Sequence, residues 1–207
     1  MQAIVLSRRD FRESDQIISL YTLEKGKQEV LARGVKKITS KNSAHLEPFS
    51  FVDIEIVPGK EIDHLTKVQP INYFSDIRKD LQKSLSASYV VGLTDKLVHS
   101  GEYDERIFSL LREWLEVMNN LEYFNIVFVD CYIVILLYNL GFDIALSEIK
   151  NSELQKKLEF LASGDWELIG KLKFEAGEYQ KLHNKIYNYL IFQTERKIKD
   201  WNLIFKV

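Results

Sequence analysis

The sequence predicts an α+β protein with two domains, a five-stranded antiparallel β-barrel followed by an all-α helical domain. Two observations predict it. Up to about residue 75, short runs alternate between apolar and polar residues and are separated by tight turns. Beyond that point apolar residues recur at helical spacing, and no proline follows Pro70. We therefore expect domains at 1–77 and 78–207, without a flexible Gly/Ser linker.

Five short runs account for the predicted barrel. The strands are expected at 3–6, 16–23, 28–32, 52–56 and 61–71. A hairpin-like turn at 24–27 separates the second and third, and Pro58 and Gly59 fit a type II turn before the fifth. Five strands with tight turns in fewer than 80 residues indicate a small barrel.

The helical half begins where large apolar residues recur every four positions, at Leu81, Leu85, Tyr89, Leu93 and Leu97. Asp104 has the position of an N-cap for a helix that buries Ile107, Leu111, Trp114, Leu115 and Met118. Further helices are predicted at 124–140, 152–163 and 177–200.

The run 123–142 is apolar enough to raise the question of a membrane span. Asp130 lies near its middle, and its flanks are acidic rather than cationic. Because a carboxylate in a bilayer is costly, we interpret the run as the central buried helix of a soluble bundle, with no membrane association. Cys131 within it is interpreted as an inert buried thiol.

Composition excludes several classes of protein. A formal net charge of -2 and a pI near 6.1 do not fit a globally basic nucleic-acid coat, so any anion site has to be a local patch. A single cysteine excludes a disulfide framework and fits a reducing cytosol. The first residues lack the pattern of a signal peptide, and we expect a cytoplasmic protein.

Catalytic signatures are missing from the sequence. It has no P-loop, dinucleotide fingerprint, nucleophile elbow or HExxH motif, and its four histidines are far apart. We expect no enzyme activity, no metal and no cofactor.

The most informative segment is 33–50, RGVKKITSKNSAHLEPFS, in which four cations precede the first acid, Glu47. Lysines and arginines between two strands of a small barrel can face a phosphate backbone. The predicted contacts are Arg33, Lys36, Lys37 and Lys41, with Arg8 and Arg9 beside them and Lys25 and Lys27 as further candidates. Candidate stacking aromatics are Phe11, Tyr21, Phe49, Phe51 and Tyr73, although Phe49 and Phe51 fit the core better.

Other interpretations stay open at this point. Short charge runs are commonly solvated surface. The weak acidity of the chain, with Glu113, Glu116 and Glu122 on its helices, also fits a protein-interaction adaptor without direct DNA binding. An RNA-binding barrel is a third possibility, because phosphate contacts alone do not distinguish RNA from DNA.

The ordered motifs of the first half resemble the start of the RecO family of bacterial DNA-repair proteins. Residues 3–37 read AIVLSRRDFRESDQIISLYTLEKGKQEVLARGVKK. They contain the Arg-Asp, Glu-Ser-Asp, Thr-x-x-x-Gly and Ala-Arg-Gly-plus-basic elements of that family in the same order. LEPF at 46–49, DIRKDL at 76–81 and LLYNLGFD at 136–143 extend the likeness, which is strong over 3–80 and more diffuse beyond.

The resemblance implies an N-terminal OB-fold and a C-terminal helical domain. It also implies a recombination mediator of DNA repair that binds single- and double-stranded DNA and anneals complementary strands. Such a protein would be nucleoid-associated. It would work with RecR and the single-stranded-DNA-binding protein, and indirectly with RecA, which it helps to load onto coated strands.

One departure from the family pattern concerns metal. Many members carry a cysteine zinc module after the Leu-Gly-Phe turn, whereas this sequence continues IALSEIKNSELQKKL without a cysteine. The expectation for this chain is therefore no zinc.

Overall fold

The structure is a computed structural model that describes residues 1–38, 40, 42–144, 152–175 and 177–204. Its backbone divides into two compact units, Met1–Asn120 and Leu121–Val207. The first unit contains the barrel and the helices that follow it as far as residue 120. The proposed domain division between residues 77 and 78 stays a prediction, because compactness alone does not say which segment folds independently.

The first unit begins with a closed five-stranded barrel in the order β1-β2-β3-β5-β4. Its strands are β1 (Gln2–Asp10), β2 (Gln16–Thr22), β3 (Gly26–Ala32), β4 (Phe51–Val57) and β5 (Asp63–Asn72). Four neighbouring pairs are antiparallel, and β3 and β5 close the barrel in parallel. The predicted barrel followed by helices is confirmed, with this one parallel pair as a difference.

Small and branched apolar side chains fill the barrel. The buried cluster contains Ala3, Val5, Ile18, Leu20, Val30, Ala32, Val52, Ile54 and Val68. It also contains Val35 and Leu46, which come from the connection between β3 and β4. One end of the barrel, at which β1 and β3 finish and β2 begins, is here called the mouth. The described residues of the connection 33–50 cover it, with a 3₁₀ turn at Ser43–Leu46.

β1 is longer than predicted, and its extension carries two arginines. Its pairing with β2 is irregular between Val5 and Ser7. Beyond that point Ser7 donates a hydrogen bond to Asp95 on a helix packed outside the barrel, 2.8 Å away. Adjacent strand residues point to opposite faces, so Arg8 and Arg9 lie on different sides of the sheet.

Three helices complete the first unit, α1 (Ser75–Lys79), α2 (Leu81–Leu97) and α3 (Glu105–Asn120). The Asp80 carboxylate caps α2 by accepting from the amide of Lys83. α3 starts directly after Asp104, whose carboxylate accepts from the amide of Arg106 at 2.8 Å. The five apolar residues predicted to be buried on α3 are all buried.

The type II turn predicted before β5 is wrong. Gly59 does not have the positive φ that this turn requires at its third position. Its amide donates to the Asp63 carboxylate at 3.1 Å, and a Cβ added to it would lie 1.8 Å from the carbonyl oxygen of Ile62. Close approach of the backbone, rather than a positive φ, therefore requires glycine here.

Gly26, at the start of β3, is expected to be intolerant of a side chain. Its φ is +64°, and a Cβ would lie 1.9 Å from the carbonyl oxygen of Glu102. Gly26→Ala should destabilise the first unit by more than about 2 kcal/mol, because the cost of a left-handed alanine adds to the cost of the steric clash with Glu102. Gly92→Ala, in α2 with open space around it, should stabilise by about 0.5–1 kcal/mol. Chemical denaturation tests both variants, and similar effects from both would contradict this account.

The second unit is helical in its described part. Its helices are α4 (Val127–Asn139), α5 (Ser152–Ala162), α6 (Trp166–Gly170), α7 (Glu178–Thr194) and α8 (Trp201–Ile204). α7 ends before the predicted residue 200, because Glu195 adopts a left-handed conformation with φ 50°. Beyond it Ile198 and Trp201 are buried, so tertiary packing redirects the chain.

Within the apolar run 123–142, residues 127–139 form α4, which is shorter than the predicted helix 124–140. In the described part of the chain, no helix combines the length and apolarity needed to cross a membrane. Cys131 is fully buried, its Sγ lies 3.2 Å from the carbonyl oxygen of Leu161, and burial raises the pKa of the thiol. The prediction that Cys131 is buried is confirmed.

The Asp130 carboxylate is the centre of a buried polar group, here called the His183 cluster (Asp130, Tyr179, His183, Asp200 and Trp201). Asp130 accepts from the Tyr179 hydroxyl at 2.7 Å and from the Trp201 indole at 3.2 Å. The two nitrogens of the His183 ring lie 3.2 Å from Asp130 and 2.9 Å from Asp200. These bonds connect α4, α7 and the segment that leads into α8.

Both central groups of the cluster hold their protons more strongly than usual. Burial opposes the charge on His183, but hydrogen bonds and charges from Asp130 and Asp200 outweigh it and raise the pKa of the imidazole. Burial raises the pKa of Asp130. With a carboxylate at each ring nitrogen, the doubly protonated imidazolium is the form that satisfies both contacts.

Candidate nucleic-acid interface

Arg8 and Asp10 on β1 face the mouth of the barrel. Arg8 is paired across the sheet with Ile18, which points into the barrel interior. Cross-strand partners share a face of the sheet, and Asp10 is two residues further along the same strand. Both polar side chains are therefore on the interior side, at the end where the barrel opens.

The segment 33–41 contains Arg33, Lys36, Lys37 and Lys41 and is here called the basic loop; its first residues are fixed to the connection between β1 and β2. The amide of Gly34, whose φ is +64°, donates to the Asp15 carboxylate at 2.8 Å. The amide of Lys36 donates to the carbonyl oxygen of Ser14 at 3.0 Å. Between them Val35 is buried in the barrel core. The Glu-Ser-Asp and Arg-Gly motifs thus dock two loops together at the mouth.

Cations and carboxylates alternate along the mouth. Lys36 Nζ lies 2.7 Å from Asp10, and Arg8 lies 2.8 Å from Glu47. Glu47 in turn acts electrostatically on Arg78 of α1. We call these five residues the ionic row. A hydrogen bond from Gln16 and the ammonium group of Lys36 together lower the pKa of Asp10. The row carries one net positive charge.

Arg78 is held in place by both stacking and hydrogen bonds. Its guanidinium carbon lies 4.0 Å from the centroid of the Phe49 ring and 3.9 Å from that of Tyr73. Nε donates to the carbonyl oxygen of Tyr73, and Nη2 donates to the carbonyl oxygen of Pro48 and the hydroxyl of Ser50. Burial lowers the pKa of this guanidinium, which still leaves an arginine protonated at neutral pH.

The remaining predicted loop cations adjoin the ionic row in sequence. Arg33 Nη2 is 3.4 Å from Nε2 of His64, near the start of β5. Lys37 is exposed, and its amide donates to the carbonyl oxygen of Gly34. Lys41 lies outside the described residues.

Arg9 lies on the other face of β1. It pairs with Glu29 on β3 at 3.1 Å, and Glu29 is the cross-strand partner of Ser19. Ser19 donates to Asp95 on α2, so this face is directed toward the helix rather than the mouth. Arg8 and Arg9, predicted together, are therefore separated by the structure.

Lys27 is bound within the first unit. Its ammonium group lies 2.9 Å from the Asp95 carboxylate and contacts the carbonyl oxygens of Asp95 and Val98, and its side chain is 13% exposed. Burial alone would raise the pKa of Asp95, but hydrogen bonds from Ser19, Lys27 and Ser7 lower it. These contacts give Lys27 a structural role that connects β3 to the end of α2.

Only two of the five candidate aromatics are exposed. Phe11 is 47% and Tyr73 is 43% exposed, whereas Tyr21, Phe49 and Phe51 are buried. The suggestion of Tyr21 as a stacking ring is wrong, because its hydroxyl donates to the carbonyl oxygen of Asp104 and burial raises its pKa to about 12. Phe49 and Phe51 belong to the core, as the sequence favoured.

Sequence reasoning missed Arg78 and the two carboxylates of the ionic row. A signal for Arg78 is present in the sequence, because this residue belongs to the DIRKDL stretch that resembles the family pattern. Nothing local to Glu47 indicates that it pairs with Arg8, since the contact joins distant parts of the chain.

Family models match both parts of the chain. The model described as recombination protein O N terminal matches residues 1–74, and the model described as recombination protein O C terminal matches residues 78–149. The stretch 144–158 contains no cysteine, and its residues 145–151 lie outside the part of the chain that the structure describes. Among the described residues, no group of His, Cys, Asp or Glu is placed to hold a metal ion.

Curated relatives carry the printed name DNA repair protein RecO. The chain is 36% identical to that of Desulforamulus reducens over 118 residues, which is 57% of this chain and 46% of the relative. It is 36% identical over 115 residues to that of Geobacter metallireducens, covering 56% and 47%. It is 30% identical over 141 residues to that of Syntrophomonas wolfei, covering 68% and 56%. The chain thus spans about half the length of the curated relatives it matches.

Proposed function

Because the chain belongs to the recombination protein O family, we propose that it acts in DNA repair and recombination by binding DNA at the mouth of its barrel. The observation that carries the proposal is the ionic row, in which Arg8, Lys36 and Arg78 line the same end of the barrel as the basic loop. Arg33 and Lys37 extend it, and Lys41 follows in the same loop. Together they form a local cationic surface on a chain of weakly negative charge.

Carboxylates in the ionic row are compatible with DNA binding. Lys36 and Asp10 are a solvent-exposed pair, with 35% and 65% of their side chains accessible, and water and salt weaken such pairs. A phosphate brings a full negative charge and releases condensed counterions when a cation neutralises it. Asp10 and Glu47 therefore act as replaceable partners that hold the cations in position until phosphates arrive.

At this surface the protein acts as a recombination mediator. Cations that neutralise two phosphate backbones reduce the repulsion between complementary strands, so that base pairing proceeds and the strands anneal. Both single- and double-stranded DNA present the required phosphates. The family likeness supports RecR and the single-stranded-DNA-binding protein as partners, with loading of RecA as the outcome. The protein needs no cofactor, breaks no covalent bond and works in the cytoplasm at the nucleoid.

The proposed role of each cation depends on whether its side chain lies on the mouth side of β1 or on the side directed toward α2. Arg8, Arg33, Lys36, Lys37 and Lys41 contact DNA directly. Arg9 is 63% exposed on the face directed toward α2 and strengthens DNA binding through longer-range electrostatic attraction. Lys27 supports the binding surface indirectly, by holding β3 against α2.

Removing the competing carboxylates is expected to strengthen DNA binding. The double variant Asp10→Asn and Glu47→Gln frees Lys36 and Arg8, and the affinity for a single strand should rise about tenfold near 0.1 M salt. Fluorescence polarisation with an end-labelled oligonucleotide measures it.

The matched control is Glu55→Gln with Glu167→Gln, which makes the same charge change in ion pairs with Lys67 and Lys171, neither of which is a proposed DNA contact. It should change affinity much less. If both double variants gain equally, the effect belongs to net charge and the mouth is not the contact surface.

A protein-binding adaptor is the second candidate, favoured by the exposed acidic side chains of Glu113 and Glu116 on α3. It predicts that the full chain retains a RecR partner after nuclease treatment and does not bind oligonucleotides at low salt. Competition between RNA and DNA strands of matched sequence distinguishes a third candidate, an RNA-binding barrel.

A further inference from the structure

The exposed ring of Tyr73, at the end of the ionic row, has the features of a stacking platform. Arg78 lies over the ring at 3.9 Å, yet 43% of the Tyr73 residue remains exposed. We propose that Tyr73, supported by Arg78, stacks on an unpaired base and makes the mouth selective for single-stranded over double-stranded DNA. This inference rests on the proposed function and adds the nucleotide class that the surface distinguishes.

The backbone around Tyr73 is held from both sides. Its carbonyl oxygen accepts from Arg78 Nε at 2.8 Å. The amide of the next residue, Phe74, donates to the side chain of Asn72 at 2.8 Å, and Phe74 is fully buried with φ 52°. A left-handed conformation at a non-glycine residue is costly and persists only where its surroundings fix it. The ring is therefore positioned before any ligand binds, which reduces the entropy lost on binding.

Phe49 repeats this arrangement beneath the arginine. It is buried, has φ 56° and contacts the guanidinium at 4.0 Å. Two aromatic residues thus contact one guanidinium, and one of the two is exposed. A base stacked on Tyr73 would add a further planar group to the contacts that Phe49 and Tyr73 make with the Arg78 guanidinium.

Arg78 also offers hydrogen bonds to the same nucleotide. Nε and Nη2 are occupied by the protein, whereas Nη1 has no hydrogen-bond partner among the described residues. A phosphate next to the stacked base is a suitable acceptor for the free amino group, since arginine binds phosphate with strong charge-assisted hydrogen bonds. Arg8 pairs with Glu47, and Arg78 donates to the carbonyl oxygen of the following residue, Pro48, so both cations adjoin the same short segment of the connection 33–50.

Stacking at Tyr73 distinguishes paired from unpaired DNA for a physical reason. Inside a duplex each base is covered by its neighbours on both faces, so a protein ring gains access only if the base is displaced. In a single strand the bases are free to leave the stack and pack on an aromatic ring without regard to sequence. Phosphate contacts, in contrast, are available in both kinds of DNA.

The test compares Tyr73→Leu, which removes the aromatic face, with Tyr73→Phe, which retains it. Binding is measured to an oligothymidylate of about 20 nucleotides, to a duplex of the same length and to a strand of abasic nucleotides. Tyr73→Leu should bind oligothymidylate about tenfold more weakly and leave binding of the duplex and the abasic strand nearly unchanged. Tyr73→Phe should bind all three ligands like the parent.

A matched control is Tyr103→Leu, which changes an exposed tyrosine near the start of β3, the opposite end of that strand from the mouth. It should change binding to none of the ligands. Equal losses on strand, duplex and abasic ligand, or an unchanged affinity of Tyr73→Leu for oligothymidylate, would overturn the inference. Thermal unfolding of each variant identifies any loss that comes from disturbing Arg78.

Failure of this inference is distinguishable from failure of the proposed function. If the parent binds oligothymidylate with an affinity that depends on Arg8 and Lys36 but not on Tyr73, only the stacking site is wrong. If the parent does not bind DNA at low salt, the proposed function itself fails.

Discussion

Replacing Arg8, Lys36 and Lys37 together with glutamine is expected to weaken binding of single-stranded DNA about 100-fold near 0.1 M salt. Each phosphate contact on a single strand releases about 0.7 of a counterion, so the loss of three contacts should also flatten the log–log salt dependence by about two. All three side chains belong to the mouth or its basic loop. Polarisation titrations across a salt series measure affinity and slope in one experiment.

The control for this triple variant makes the same change in net charge elsewhere. Lys67 pairs with Glu55, Arg106 pairs with Asp104, and Lys171 pairs with Glu167, and none of the three cations is a proposed DNA contact. Replacement of these three by glutamine should preserve the salt slope of the parent. If both triple variants lose affinity and slope equally, binding reflects total charge and the assignment of the mouth is wrong.

His183→Ala is expected to destabilise the second unit by about 3–5 kcal/mol. The imidazole is fully buried, and its removal leaves the carboxylates of Asp130 and Asp200 facing each other without the cation between them. Hydrogen exchange followed by mass spectrometry measures the change in the peptides of α4 and α7. Asn188→Ala, an exposed position on α7, is the control and should change stability by less than about 0.5 kcal/mol.

The same cluster predicts a direction for pH dependence. The folded state raises the pKa of His183 above its ordinary value of 6.5, so the stabilising contribution is fully present below about pH 6.5. It is lost as pH rises through the raised folded-state pKa. The parent should therefore lose stability in the second unit on going from pH 6 toward alkaline pH, and His183→Gln should show a shallower decline. If the parent and His183→Gln lose stability equally as pH rises, protonation of His183 does not stabilise the folded second unit.

The strand and helix pattern was readable from the sequence, because each run has a period set by the barrel interior or by a buried helix face. Val52 and Ile54 alternate with acids and do fill the barrel, and the α3 residues from Ile107 to Met118 are buried as their spacing indicates. The end of α7 was not readable, because the left-handed Glu195 is fixed by the packing of residues that follow it.

The candidate site was only partly predictable. The cationic loop is contiguous in sequence, so its charge stood out. Arg8 and Arg9 lie on opposite faces because adjacent strand residues alternate, but which of the two is on the interior side depends on the irregular pairing between Val5 and Ser7, which no local pattern indicated. The role of Lys27 depends on Asp95, 68 residues away in the chain. Contacts of this kind arise from the tertiary fold and cannot be inferred from the periodicity of the sequence.

Hydrogen exchange of the whole chain with and without a single-stranded oligonucleotide tests most directly whether the mouth of the barrel is the DNA-binding surface. We expect slower exchange on DNA addition in three segments, 10–16, 33–38 and 73–79. The β2–β3 turn and α3 should exchange as they do in the free protein. Protection confined to α3 or to the second unit, with the mouth unchanged, would contradict the account.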